Sequence, residues 1–204
     1  MARPRYRPDV GELLALVGFS VVSSVTPGPN NVLLWASGAA FGFRATIPHV
    51  AGTALGIGSM ALVVAAGLGA VFTAFPEVSA ILKLVASVYL LYLAFQIAGA
   101  HALHQGAVTH PLNVVQAAGF QLVNPKAWVF ALGAVAAFRP AEYPVLVGGA
   151  LVALTMAVVV VPMASVWAGA GGTLGRLMSR DRDRRLMSAA LALLLAATVA
   201  YLWI

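Results

Sequence analysis

Residues 13–41 read LLALVGFSVVSSVTPGPNNVLLWASGAAF, and this stretch decides how the chain folds. It contains no charged side chain and exceeds the roughly 20 apolar residues that a helix needs to cross a bilayer core about 30 Å thick. The apolar run is continuous rather than alternating, which favours a transmembrane helix over a strand of a barrel. Because Thr26-Pro27-Gly28-Pro29 interrupts it, the sequence predicts a span that is broken near its centre.

The composition of the whole chain indicates that lipid is its outer solvent. Of the 204 residues, 61% are hydrophobic and only 9% are charged, whereas about a quarter are charged in a typical soluble domain. This number of charged residues is too small to cover a water-exposed surface. We therefore predict an all-α membrane helix bundle without a soluble domain. The absence of cysteine excludes disulfides, thiolate nucleophiles and cysteine-ligated metals.

Hydropathy predicts six membrane segments. The N-terminal arginines and the apolar run after them are typical of a secretory signal, but no small-residue cleavage site follows, so we expect a retained first span. The fourth segment is interrupted, like the first, at Asn124-Pro125-Lys126. The six segments are 13–41, 50–75, 84–100, 117–138, 145–168 and 186–204.

Two pairs of prolines indicate an internal repeat. Pro29 lies in the broken first segment and Pro48 is expected to open the second; Pro125 lies in the broken fourth and Pro144 is expected to open the fifth. Each pair is 19 residues apart, and the second pair is offset from the first by 96 residues. Each half would hold three spans with the first one broken, and an odd number of spans inverts the second half, as in many transporters. We therefore predict one transporter domain, 1–204, with halves of about 10–105 and 112–204. Chance spacing among 11 prolines is the alternative.

The basic residues leave the sidedness open. The formal net charge is +6, and beside apolar spans arginine clusters indicate anchors that face anionic lipid, so no nucleic-acid partner is expected. Six crossings place the two clusters on opposite sides, whereas five place both in the cytoplasm. The clusters are Arg3, Arg5 and Arg7, then Arg176, Arg180, Arg182, Arg184 and Arg185.

The first break supplies one half of a predicted substrate-binding site. Prolines lack the amide hydrogen and their rings clash with the preceding turn, so the helix cannot continue. Pro29 suits the first position of a new half-helix with Gly28 as its cap, and the positive end of that half-helix suits a carboxylate. A simple kink between two short helices is the alternative. The residues assigned here are Thr26, Pro27, Gly28, Pro29, Asn30 and Asn31.

The second break supplies the other half, with Asn124, Pro125 and Lys126. Asn124 can cap and Pro125 can start a half-helix, while Lys126 puts a positive charge in an apolar run, at a cost of about 3 kcal/mol on insertion scales. No Asp or Glu lies in the apolar core to pair with this lysine, so a substrate carboxylate is the predicted partner. Snorkelling to an interface is the alternative. We expect the site where the two broken spans meet.

The remaining titratable residues indicate neither catalysis nor a metal site. His49 could carry protons, but an interfacial position is expected. His101 and His104, with His110 nearby, have no neighbouring carboxylate and make a poor metal site, so we predict a solvated loop and neither a metal nor a cofactor. Hydrolase, zinc-protease and Walker motifs are absent from the sequence, so no enzymatic activity is predicted.

Small residues at four-residue spacing predict close helix packing. Gly38 and Gly42 form one such pair, and Gly52 and Gly56 form another. This spacing lets two helix backbones approach each other within a membrane. We expect these pairs near the central cavity.

Four motifs stand in order along the chain: Thr26-Pro-Gly-Pro-Asn-Asn31, Phe41-Gly-Phe-Arg44, Gly52-x-x-x-Gly56 and Asn124-Pro-Lys126. Together they resemble the lysine exporter (LysE/RhtB) family of bacterial efflux proteins, and the resemblance covers nearly the whole chain. It implies export of amino acids and related metabolites across the inner membrane, driven by the proton motive force. The motifs look most similar to the cysteine and O-acetylserine exporter group. Many relatives carry an acid where this chain has Ile57, which implies a neutral rather than a basic substrate.

The predicted function is gradient-driven export of small amino acids or amino-acid-like metabolites across the bacterial inner membrane, with alternating access. The coupling ion is expected to be H⁺, and a homodimer is one option for the assembly. Three alternatives stay open at this point: a passive channel, a non-transporting membrane scaffold and a metal-ion exporter.

Overall fold

The computed structural model describes residues 10–68, 74, 76–99, 110–178 and 181–203, and the regular structure among them is helical, without a strand. The predicted all-α class is therefore confirmed. A π-helical turn, Val64–Leu68, extends the third helix. The helices are α1 Val10–Val25, α2 Pro29–Phe41, α3 Phe43–Val63, α4 Pro76–Gly99, α5 Val114–Val123, α6 Pro125–Phe138, α7 Val145–Leu177 and α8 Asp181–Leu202.

By length and composition, two of the described helices can cross a membrane. They are Phe43–Leu68, with 26 residues, and Val145–Leu177, with 33. The pair α1 and α2 passes the same test as one span bent by 61°. These lengths indicate a membrane protein with two or three such spans. They do not confirm the six crossings expected from hydropathy, because the apolar stretches in α4, α5, α6 and α8 are shorter.

Prolines mark helix starts at three positions of the predicted repeat. Pro29 and Pro125 are the first residues of α2 and α6, and Pro144 is the N-cap of α7. Pro48, which was expected to open the second span, instead lies inside α3, so that prediction was wrong. The helix starts earlier because Gly42, with φ 82°, redirects the chain just before Phe43, and a proline in the second turn removes only one backbone hydrogen bond.

Helix α2, which starts at the first break, is surrounded by other helices. Every residue of α2 from Pro29 to Gly38 is buried. Helix α7 packs along both α2 and α3, and α5 packs along α3. Side chains such as Leu34, Met156 and Ala168 form the larger core, and a second core forms where α4 meets α8.

Glycines let these helices approach at backbone distance. A Cβ atom at Gly38 would overlap the carbonyl oxygen of Ala168 on α7. Cβ atoms at Gly52 and Gly56 would likewise overlap backbone oxygens of α5. The close packing predicted for these three glycines is confirmed. Gly42 has open space around it and serves the turn between α2 and α3 instead.

Candidate functional site

The two helix breaks contact each other, as the sequence led us to expect. The Nζ of Lys126, in the first turn of α6, donates a hydrogen bond to the carbonyl oxygen of Thr26, at the end of α1. A Cβ atom at Gly28 would lie 2.6 Å from the Cδ of Lys126. The absence of a side chain at position 28 therefore makes room for the lysine stem to reach the first break.

Asn31 stabilises the first break from within. Its Nδ2 donates to the carbonyl oxygens of Ser24 and Thr26, each at 2.9 Å. Carbonyls at a helix end have no intrahelical partner and need one when water is excluded. Gly28 is the N-cap of α2 in an extended conformation and Pro29 is its first residue, as predicted. The Asn31 side chain thus holds the end of α1 against the start of α2.

Asn30 is the centre of a buried polar network that joins three helices. Its Oδ1 accepts a hydrogen bond from Gln121 Nε2 on α5 at 2.9 Å. On α3, Thr53 Oγ1 lies 3.2 Å and His49 Nε2 lies 3.3 Å from the same oxygen. Gln121 and His49 are each only 1% exposed. A carboxamide oxygen with several donors around it fixes these helices in register.

The second break joins the same network through Gln121. Asn124 precedes Pro125 as the N-cap of α6, but its side chain makes no capping hydrogen bond, so the expected capping role was wrong. Its Nδ2 donates instead to Gln121 Oε1 at 3.1 Å. The capping atom, Oδ1, has no hydrogen-bond partner in the described part of the chain. Gln121 therefore links the Asn30 cluster to the break that carries Lys126.

A cavity lies between the two breaks. It contains about 420 Å³ of empty space when its open side is included, and its interior admits only a few water-sized molecules. Ile57, Phe130 and Val160 form apolar parts of its wall. The polar residues along the wall are Ser23, Ser24, Asn30, Asn31, Thr53, Gln121, Asn124 and Lys126.

The charge at this cavity is positive. Among the described side chains that line it, Lys126 is the only ionised one, and no described carboxylate lines it. The carboxylates of Glu12, Glu77 and Glu142 are exposed elsewhere. Ser24 Oγ and Asn124 Oδ1 are buried without a hydrogen-bond partner in the described part of the chain. The wall therefore offers one cation and free polar atoms, which suits a small ligand with an anionic group.

The structure separates the predicted site residues by what they contribute. Asn30, Asn31, Asn124 and Lys126 bring side chains to the cavity, and Gly28 lines it with its backbone. Thr26 contributes its carbonyl oxygen, whereas its side chain and that of Pro27 are exposed. Pro29 and Pro125 are buried at helix starts.

Sequence reasoning missed three members of the network. Gln121 and Thr53 were not singled out, and His49 was expected at an interface, which was wrong, since it is 1% exposed. Because α3 starts at Phe43, His49 lies beyond its first turn, on the face that packs against α2 and α5. The four-residue spacing of His49 and Thr53 was the available signal, since it places both on one face.

The histidine loop is only partly described. His101 and His104 lie outside the described residues, and His110 Nδ1 lies 3.3 Å from the carbonyl oxygen of Pro111. Within the described ranges, no group of three or more His, Cys, Asp or Glu side chains could hold a metal ion.

Apolar helices of membrane-spanning length, broken around a buried polar cavity, define a membrane protein of the transport class. The chain belongs to the family of LysE-type translocators, whose family model matches residues 21–204. The family resemblance found in the motifs is thereby confirmed.

Individual relatives cover a smaller part of the chain. It is 31% identical over 126 residues to proteins of Salmonella choleraesuis and Salmonella typhimurium named cysteine/O-acetylserine efflux protein. A protein of the same name from Escherichia coli is 28% identical over 126 residues. The match covers 62% of this chain and 65% of each relative, slightly less than two thirds of the relatives' length. No solved structure matches the chain.

Proposed function

We propose that this protein is a secondary active exporter of small amino acids or amino-acid-like metabolites, located in the bacterial inner membrane as a multi-pass protein. The contact between Lys126 and the Thr26 carbonyl oxygen carries this proposal. It brings a cation and a helix end of opposite polarity to one cavity. An amino acid carries a carboxylate and an ammonium close together. The lysine can bind the carboxylate, and the carbonyl end of α1 can bind the ammonium.

The polarity of the helix ends assigns an orientation to the substrate. Its carboxylate faces the ammonium of Lys126 and the N-terminal ends of α2 and α6, where the helix dipole is positive. Its ammonium faces the carbonyl oxygens at the C-terminal end of α1, including that of Thr26. In this structure, Lys126 and Asn31 donate hydrogen bonds to these carbonyl oxygens. The substrate's ammonium therefore replaces one of these two donors when it binds.

The wall of the cavity favours a neutral amino acid over a basic one. Ile57 lines the cavity and is 4% exposed, so no carboxylate at that position receives a second ammonium group. Lys126 also repels additional positive charge. The relatives named cysteine/O-acetylserine efflux protein support the same substrate class, and O-acetylserine is therefore our first probe.

The proposed architecture is six crossings in a three-plus-three inverted repeat within one domain. Its support is that both α1–α2 and α5–α6 break before a proline and are followed by a long apolar helix. The narrow interior of the cavity corresponds to a closed state. Rocking of one half against the other opens it to either side in turn, with H⁺ as the coupling ion.

The test uses the purified full chain in proteoliposomes loaded with unlabelled O-acetylserine. We expect labelled O-acetylserine to accumulate by exchange, and net transport to follow an imposed proton gradient and stop when an uncoupler removes it. Protein-free liposomes are the control. Flux without exchange and without response to the uncoupler identifies a channel. Absence of flux for O-acetylserine, cysteine and other neutral amino acids contradicts the proposal and favours a scaffold.

A further inference from the structure

We infer that His49 is the residue that binds the coupling proton, an inference that rests on the proposed exporter function. His49 lies on α3 at the buried network and is 1% exposed. Its Nε2 is 3.3 Å from Asn30 Oδ1. Its Nδ1 has no hydrogen-bond partner in the described part of the chain.

The network fixes which ring nitrogen is free to take a proton. Gln121 Nε2 donates to Asn30 Oδ1 at 2.9 Å, so this oxygen is an acceptor. A carboxamide oxygen cannot donate, so the neighbouring Nε2 of His49 carries the hydrogen and Nδ1 keeps its lone pair. A buried polar atom without a partner calls for a functional or structural reason. Uptake of a proton by this lone pair gives an imidazolium, and its release restores the neutral ring.

Among the described helices that pack on α3, Lys126 is the one ionisable side chain that is not exposed. Helices α2 and α5 contain no ionisable side chain, and α6 contains only Lys126. The single ionisable side chain of α7, Arg176, is exposed near its last turn and donates to the carbonyl oxygen of Gly172. Arg44, on α3 itself, is exposed. A proton on His49 therefore acts chiefly on the cavity that contains Lys126.

Proton binding and substrate binding are coupled because His49 and the cavity share one hydrogen-bond network. Asn30 contacts His49 and also lines the cavity, and Gln121 and Asn124 continue the hydrogen bonds to the second break. A proton on His49 adds a second positive charge to the network that lines the cavity of Lys126. This disfavours the substrate's ammonium in the same cavity, so proton and substrate bind alternately. Alternate occupancy is what exchange in opposite directions requires.

The first experiment separates exchange from proton-driven transport in proteoliposomes. We expect His49→Gln to lower proton-gradient-driven transport about tenfold or more beyond any loss of O-acetylserine exchange. His110→Gln, outside the network, should keep both activities, whereas Lys126→Ala should lose both. If wild type itself shows no exchange, the proposed function fails, whatever His49 does.

Two outcomes for a folded His49→Gln protein overturn the inference. One is gradient-driven transport at the wild-type rate. The other is a loss of exchange by the same factor as gradient-driven transport, because His49 then serves substrate binding or the fold. Folding is checked by size-exclusion chromatography and thermal unfolding in detergent.

A second measurement retains His49 and so does not depend on that variant. In a protein with His101, His104 and His110 replaced by Gln, His49 is the only histidine, and its ring nitrogens can be followed by ¹⁵N NMR. We expect hydrogen on Nε2 at high pH, protonation of Nδ1 on acidification, and a shift of this transition to lower pH when O-acetylserine is added. A ring that does not titrate, or a transition that O-acetylserine leaves unchanged, overturns the inference.

Discussion

The ammonium of Lys126 donates a hydrogen bond to the carbonyl oxygen of Thr26, which lies 100 residues earlier in the chain. The contact joins the start of α6 to the end of α1. A free carbonyl at a helix end and a lysine in an apolar helix each gain from a polar partner. Here each satisfies the other, which ties the two helix breaks together.

Replacing Lys126 by Ala should abolish most transport. The change removes the cation that faces the substrate carboxylate, and a hydrogen bond to a charged group contributes about 1.5–3 kcal/mol, or about a 10- to 100-fold change. We expect O-acetylserine exchange in proteoliposomes to fall by that factor at equal protein content. Lys83→Ala is the matched control, because Lys83 is exposed on α4. Equal rates for the two variants would contradict the assigned site.

Replacing Gly28 by Ala should impair transport with little loss of stability. Gly28 has φ −170°, an extended conformation that alanine adopts readily, so the backbone is not strained. The new methyl group would lie 2.6 Å from the Cδ of Lys126 and displace the lysine stem. We expect exchange to fall about tenfold while the Tm stays close to that of wild type.

The control for this change is Gly18→Ala, since nothing lies within 4 Å of a Cβ atom at Gly18. An exchange rate at Gly28→Ala equal to that of the control would show that the lysine position is not critical.

Replacing Gly38 by Ala should destabilise the protein. A Cβ atom at this position overlaps the carbonyl oxygen of Ala168, and neither backbone can yield without separating α2 from α7. We expect a loss of about 1–3 kcal/mol, typical of overpacking, measured as a lower Tm in detergent. Gly169→Ala is the control, because its Cβ atom would meet nothing within 4 Å. A Tm equal to that of the control would mean that the two helices do not pack this closely.

Asn30 and Gln121 should be energetically coupled. Asn30→Leu leaves the Gln121 amide and the His49 ring without their shared acceptor, and an unsatisfied buried donor costs about 1–3 kcal/mol. Unfolding of Asn30→Leu, Gln121→Leu and the double variant forms a double-mutant cycle. We expect the combined effect to differ from the sum by about 0.5 kcal/mol or more. Simple additivity would show that the bond seen at 2.9 Å contributes nothing to stability.

The sequence predicted the helical class and the position of the breaks because both follow from strong local rules. A chain with 9% charged residues cannot cover a soluble surface, and two prolines flanking Gly28 cannot continue a helix. Lys126 was singled out because a charge in an apolar run needs a partner. Each inference depends on residue type alone, with no knowledge of which side of a helix faces inward.

The remaining network could not be predicted, because it depends on the rotation of each helix about its axis. In a soluble protein an apolar stripe reveals the inward face, but a helix that is apolar all round gives no such signal. Gln121 and Thr53 therefore could not be assigned to the cavity, and His49 was placed at an interface. The capping hydrogen bond of Asn124 was not found either, because its side chain is oriented by the bond that its Nδ2 donates to Gln121.

Helix α7 is longer than the membrane needs. With 33 residues and a rise of about 1.5 Å per residue, it measures about 50 Å, against a hydrocarbon thickness of about 30 Å. A helix of this length fits the bilayer by tilting or by extending its end into the headgroup region. In the second case Arg176 in its last turn can contact lipid phosphate. Since α7 packs on α2 beside the cavity, the proposed alternating access should move it, and a spin label at the exposed Leu177 should report that movement.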